Sequence, residues 1–218
     1  MHSMVRVFLV VLVLLAAVDP AGAGALSEIE VGAGLNYGYL CYDDPMELWD
    51  PGWAMGFTGG VFFEMPLAER VSFVPGLRFS SMKNNVELSG VYEGEFNVNH
   101  KYISIPILMR VELGENMFFL DAGPEFSLFL STEIQNDYKD LLDIENNETD
   151  DISDDIESYN IGACIRVGFK AYRWDIPVAV TASYHHGFVG VADEDEWWSD
   201  WKTREFTLCV SYLFDLTE

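Results

Sequence analysis

The chain has 218 residues, with 50% hydrophobic, 14% aromatic and 22% charged side chains, a composition that excludes an intrinsically disordered polypeptide. Twelve Lys and Arg against 36 Asp and Glu give a net charge of -24, which excludes a basic nucleic-acid-binding surface. Three cysteines are too few for a disulfide framework.

The first segment reads as an export signal. Arg6 precedes an apolar run from Val7 to Val18, followed by Pro20 and the small residues Ala21, Gly22 and Ala23. Cleavage is expected after Ala23, with Ala25 as the second choice, so residues 1–23 are assigned to the signal and 24–218 to the mature domain. The run is too short for a spanning helix, which needs about twenty residues. No later apolar run approaches that length, so any membrane span is made of strands.

Eight segments alternate with a period of two: Glu28–Leu40, Ala54–Met65, Val71–Met82, Tyr102–Leu113, Met117–Glu133, Tyr159–Ala171, Ile176–Phe188 and Thr203–Phe214. Soluble strands run about five to six residues, and tilted membrane strands about nine to eleven. In the fourth segment Ile103, Ile105, Ile107, Met109, Val111 and Leu113 share one face. One face of each segment is nearly free of charge. The other is glycine-rich and carries Glu30, Glu64, Arg78, Arg110, Glu112, Asp121, Glu125, Arg166, Lys170 and Glu205.

Short connections (Pro66–Arg70, Gly114–Asn116, Tyr172–Asp175) alternate with long ones (Cys41–Trp53, Lys83–Lys101, Ile134–Ser158, Val189–Lys202). Aromatic residues gather near strand ends. Together these features predict an all-β, eight-stranded, antiparallel up-and-down transmembrane barrel in the outer membrane of a Gram-negative-type bacterium. Apolar residues face lipid, the lumen is polar, and both termini are periplasmic.

Eight strands leave an interior just wide enough for side chains to fill, so the charged set is expected to plug the lumen as mixed-sign ion pairs rather than to line a pore. A hairpin across Gly114–Met117 places Arg110 opposite Asp121 and brings Pro106 near Pro124, where a bulge or ladder gap is expected. Pro75 and Pro177 also fall within the assigned segments.

YISIPILMR (Tyr102–Arg110) and FFLDAGPEFSLFL (Phe118–Leu130), with the opening strand IEVGAGLNYGYL and the closing strand EFTLCVSYLF, resemble the PorT-like outer-membrane β-barrel family. The resemblance covers nearly the whole mature chain. It implies a barrel without known catalysis, with one branch serving a protein secretion system. It also implies that the last strand is read by the barrel-assembly machinery through Tyr212, Phe214 and the polar Thr207; Cys209 stands where glycine is usual.

No cofactor is implied and the reading is non-enzymatic: membrane integrity, surface interaction or accessory duty in secretion, by a monomer in contact with outer-membrane lipid. One alternative is a lipid or peptide hydrolase centred on His185, with Ser183 on the same face and Glu205 on the next strand. Another is a soluble periplasmic ligand-binding barrel. Cys164 and Cys209 are placed in the lumen, too far apart for a disulfide. The acid-rich stretch Ile134–Ser158 is read as a solvated loop that divalent cations could neutralise, and Asp143-x-Glu145-x-Asn147 is a weak calcium-loop pattern.

Overall fold

A computed structural model describes residues 26–41, 49–51, 54–88, 94–114, 117–139, 145–151, 159–188 and 202–217. The export-signal reading falls on residues outside this set. The strands are β1 Glu28–Cys41, β2 Trp49–Pro51, β3 Ala54–Ala68, β4 Val71–Leu88, β5 Gly94–Leu113, β6 Phe118–Lys139, β7 Glu145–Asp151, β8 Tyr159–Lys170, β9 Val178–Gly187 and β10 Lys202–Asp215. Eight of them, all but β2 and β7, form an antiparallel ring in the order β1-β3-β4-β5-β6-β8-β9-β10; the β4–β5 and β1–β10 pairs leave no seam. This is the closed barrel that the alternation predicts.

The ring is staggered. The ladder from Tyr37 passes through Phe206, Tyr184, Ile165, Ala122, Met109 and Phe73 to Met65. Met65 adjoins Glu64, which pairs with Glu28. One circuit therefore descends about ten residues along β1, the shear that a tilted eight-stranded barrel requires.

Alternation in sequence becomes inside and outside. Val31, Leu35, Phe57, Val167, Leu208 and Val210 are exposed, whereas Glu30, Arg78, Arg110, Asp121, Arg166 and Glu205 are buried. A one-residue slip of any strand would carry its charges to the outer face, so register is strongly specified. Outward aromatics form two belts. Phe118, Phe169 and Trp174 stack near the short turns, with Tyr212 against Phe214. Phe206, Tyr184, His186 and Phe188 form a continuous stack toward the long connections. Such girdles mark the two interfaces of a membrane barrel. Among the described residues no helix is long and apolar enough to cross a membrane.

Three connections differ from expectation, and in the first, Cys41–Trp53, β2 pairs with β4. β4 runs on to Leu88, β5 begins at Gly94 and β6 continues to Lys139, so the pairing extends through stretches read as loops. β7 pairs with Glu133–Lys139, which makes part of the acidic Ile134–Ser158 stretch a strand hairpin. Apolar alternation fades in these stretches while main-chain pairing continues. The side chains of residues 132–151, including the calcium-like pattern, lie outside the described set.

Pro75, Pro106 and Pro124 lie at ladder gaps without a shift of register, whereas the β3–β4 register shifts between Pro66 and Ala68. Pro106 pairs with Glu125 and Met109 with Ala122, with no pairs between them opposite Gly123 and Pro124. In the β4–β5 ladder a matching gap lies between Pro75–Ile107 and Arg78–Ser104, and in the β3–β4 ladder another lies between Phe62–Gly76 and Met65–Phe73. The missing N–H of each proline accounts for the interruption. The one β5–β6 register shift falls instead at Lys101/Tyr102. Pro177 precedes β9 rather than lying inside it, and its carbonyl accepts from Leu213 N. Gly114, at φ 54°, makes the tight β5–β6 turn, where Met117 N donates to its carbonyl.

Candidate functional site

The inward faces of the strands build two tiers of ion pairs. The tier nearer the short turns centres on Arg110 of β5. Its Nε donates to Asp121 Oδ1 at 2.8 Å and its Nη2 to Asp121 Oδ2 at 3.0 Å, a two-pronged bond set by direct pairing of the two residues. Nη1 donates to Glu64 Oε2 at 2.7 Å and Nη2 to Glu30 Oε2 at 3.3 Å. Arg166 of β8 donates to both oxygens of Glu30, at 2.7 and 2.9 Å. Lys170 reaches Glu64 at 2.9 Å, Glu28 at 3.1 Å and the half-buried Glu112 at 3.5 Å. Ser72, Ser211 and Tyr172 donate to Glu64, Glu30 and Glu28 and so complete the carboxylate shells. Tyr172 sits in the short turn after β8; burial and the adjacent Glu28 carboxylate hold its phenol well above the usual range.

Two phenylalanines interrupt the polar face and belong to this tier. The Arg110 guanidinium lies over the Phe119 ring, and that of Arg166 over the Phe62 ring, each 3.8 Å from the centroid. Each ring covers a glycine on the paired strand. A Cβ on Gly168 would meet Phe119 Cζ at 2.1 Å, and one on Gly76 would meet Phe62 Cδ1 at 2.4 Å. Glycine on the inner face thus gives an aromatic ring room to lie flat beneath a guanidinium.

The second tier lies toward the long connections and centres on Arg78 of β4. Nη2 donates to Glu125 Oε1 at 2.8 Å, and Nη1 to Glu205 Oε1 at 3.2 Å and Thr207 Oγ1 at 3.5 Å. Nη1 also sits 2.6 Å from His185 Nε2. His185 Nδ1 faces Glu125 Oε2 at 3.0 Å, and Ser183 Oγ lies 3.0 Å from Nε2. The acid partner of His185 is therefore Glu125 on β6, the next strand but one, past β8, not Glu205 on the neighbouring strand. The Ser183 and His185 side chains lean together although their Cα atoms are staggered along β9. Cys164 Sγ is 4.0 Å from Nε2. Cys164 and Cys209 both carry free thiols.

Two small cavities flank this tier. One, about 30 Å³, is lined by Arg78, Glu125, His185, Asn160, Thr203 and Glu205 among others. The other, about 20 Å³, lies between the tiers beside Cys164, Arg166 and Cys209. Each has room for about one or two water molecules.

All ten charged residues assigned to the lumen face inward; nine are buried and Glu112 is half-buried. Glu28 joins them unforeseen, although it shares the parity of Glu30. Of the proposed assembly signal, Thr207 points inward and donates to Glu205 Oε1 at 2.9 Å, whereas Tyr212 and Phe214 face outward with ring centroids 4.7 Å apart.

Comparison with known proteins agrees with this geometry. The crystal structure of Ail, the attachment invasion locus protein of Yersinia pestis, solved in complex with the heparin analogue sucrose octasulfate, superposes with a TM-score of 0.50; the chains are 12% identical, and the match covers 87% of this chain and 100% of Ail. Neisserial surface protein A (TM-score 0.45, 13% identity, 85% of this chain and 97% of that one) and OprG from Pseudomonas aeruginosa (0.45, 8%, 89% and 99%) are also similar. At these identities the likeness is one of fold. No curated protein sequence matches. The family model for the outer membrane protein beta-barrel domain matches residues 21–193, which sets aside a soluble periplasmic barrel. The chain belongs to the outer-membrane β-barrel domain family and resides in the outer membrane.

Proposed function

We propose that this protein is a non-enzymatic, non-conducting outer-membrane barrel that anchors acidic surface hairpins, with its short turns and both termini on the periplasmic side. The observation that carries this reading is the closed pair of ion tiers. Arg110, Arg166 and Lys170 are locked among carboxylates at one level and Arg78 at another, so an ion crossing the lumen would have to break both. Planar-bilayer recording tests it. Near-zero conductance is expected, and large, stable channels would overturn the reading.

A second reading, hydrolysis at His185, draws on the Ser183–His185–Glu125 chain of 3.0 Å contacts. A general base needs a free lone pair at Nε2. Here Arg78 Nη1 occupies that nitrogen at 2.6 Å, and the adjoining cavity admits little more than a water. These features favour a structural histidine. His185→Ala is expected to leave activity on lipid and peptide substrates at background in both forms.

The surface role rests on composition and pairing. β4, β5, β6 and β7 continue as a sheet toward the long connections, and Ile134–Ser158 carries Asp137, Asp140, Asp143, Glu145 and Glu148 among its acids. Ail was crystallised with a polyanion. An acid-rich rim repels such a ligand, so a cationic partner, including divalent ions, fits this chain. The outward aromatic pair Tyr212 and Phe214 on the strand that closes against β1 is in keeping with recognition by the barrel-assembly machinery. The PorT-like resemblance supports the barrel more directly than a duty in secretion.

A further inference from the structure

The geometry points to a site for one soft or borderline divalent cation, of the zinc and cadmium class, formed inside the lumen by Glu125, Cys164 and His185. The three side chains come from the successive barrel strands β6, β8 and β9. Cys164 pairs directly with His185, and Glu125 lies two residues beyond Gly123, the other partner of Cys164. Their ligand atoms lie within 4.8 Å of one another and all three residues are buried. Cys164 Sγ and His185 Nε2 are 4.0 Å apart. A tetrahedral zinc ion with bonds of about 2.3 Å to sulfur and 2.0–2.1 Å to nitrogen holds such donors about 3.5 Å apart, so a small inward movement seats the ion. Glu125 Oε2 lies 3.0 Å from His185 Nδ1, yet both atoms are buried without a hydrogen-bond partner, so this oxygen is free to turn to the ion as the third donor while Oε1 keeps Arg78.

Charge selects a cation. The upper tier sets one guanidinium, Arg78, against the Glu125 and Glu205 carboxylates, so with neutral His185 one negative charge stays uncompensated in a buried space. The lower tier is acid-rich as well. Binding replaces the Cys164 thiol proton, which leaves to solvent, with a sulfur–metal bond; no electron moves. A divalent ion and one thiolate bring the upper tier to neutrality. Thiolate and imidazole donors select zinc or cadmium over calcium or magnesium. Arg78 is the competitor, since its Nη1 occupies His185 Nε2 at 2.6 Å. It loses that contact but keeps Glu125 through Nη2 and Glu205 through Nη1. The two small cavities share Arg78, Glu125 and His185, so the site lies between them, and the outer one leads toward the long connections.

The test is titration of the detergent-folded, thiol-reduced full chain with cadmium chloride, read by the ultraviolet sulfur-to-cadmium charge-transfer band. One equivalent is expected to saturate the band. Cys164→Ser should abolish it, Cys209→Ser and Cys41→Ser should retain it, and His185→Ala should weaken binding about tenfold or more. Arg78→Gln should tighten it. Heat-modifiable electrophoretic mobility confirms that each variant is folded. Should Cys164→Ser not fold, cobalt(II) absorption of the wild type decides: intense tetrahedral bands support the site, and a weak octahedral spectrum contradicts it. A band that survives Cys164→Ser, or no band in the folded wild type, overturns the proposal. The outcome is independent of the conductance experiment.

Discussion

Arg110 and Asp121 face each other on adjacent strands and are joined by two parallel hydrogen bonds of 2.8 and 3.0 Å while almost wholly shielded from solvent. The same guanidinium holds Glu64 and Glu30 and rests on Phe119. Arg110→Met is therefore expected to leave three carboxylates short of a partner and to cost about 3–5 kcal/mol. Arg110→Lys keeps the charge but loses the fork and should fall between. Urea unfolding of detergent-folded protein, followed by mobility shift, reads the difference.

The aromatic rings beneath the arginines make a second prediction. Gly168→Val drives a side chain into Phe119, which supports Arg110, and overpacking of that kind costs about 1–3 kcal/mol. Gly114→Ala is the control: nothing lies within 4 Å of its added Cβ, and only the positive φ is strained, at about 1 kcal/mol. Equal effects from both would remove the packing argument.

Two tiers in series imply that one can be opened without the other. Arg78→Ser is expected to leave bilayer conductance near zero, because Arg110, Arg166 and Lys170 still close the lower lumen. A stable channel in that single variant would show that the lower tier does not seal.

Orientation is tested by epitope accessibility. A tag inserted after Ser153 should be labelled on intact cells, whereas one inserted after Asn116, in the short β5–β6 turn, should be labelled only after permeabilisation. The reverse pattern would invert the proposed topology.

Much of this molecule is legible in strand parity. The side of each strand that meets lipid, the Arg110–Asp121 pairing across a tight turn and the ladder gaps at Pro106 and Pro124 all follow from period-two geometry and proline's missing donor. Three features are not legible. The extensions of β4, β5 and β6 fall on stretches that lack the apolar alternation marking the rest of each strand. Phe62 and Phe119 break the polar pattern of the inner face, and their place is understood only with Gly76 and Gly168 across the ladder. The partnership of His185 with Glu125 reaches past β8 to the next strand but one, which barrel curvature brings close on the inner face; neighbour-strand reasoning reaches only Glu205.

The central claim is that hydrocarbon covers the outer face while the ions turn inward. A nitroxide at position 208, where Leu208 is 58% exposed midway along β10, tests it most directly. In reconstituted bilayers the account predicts frequent collisions with dissolved oxygen and few with a water-soluble nickel chelate. The opposite ranking would contradict it.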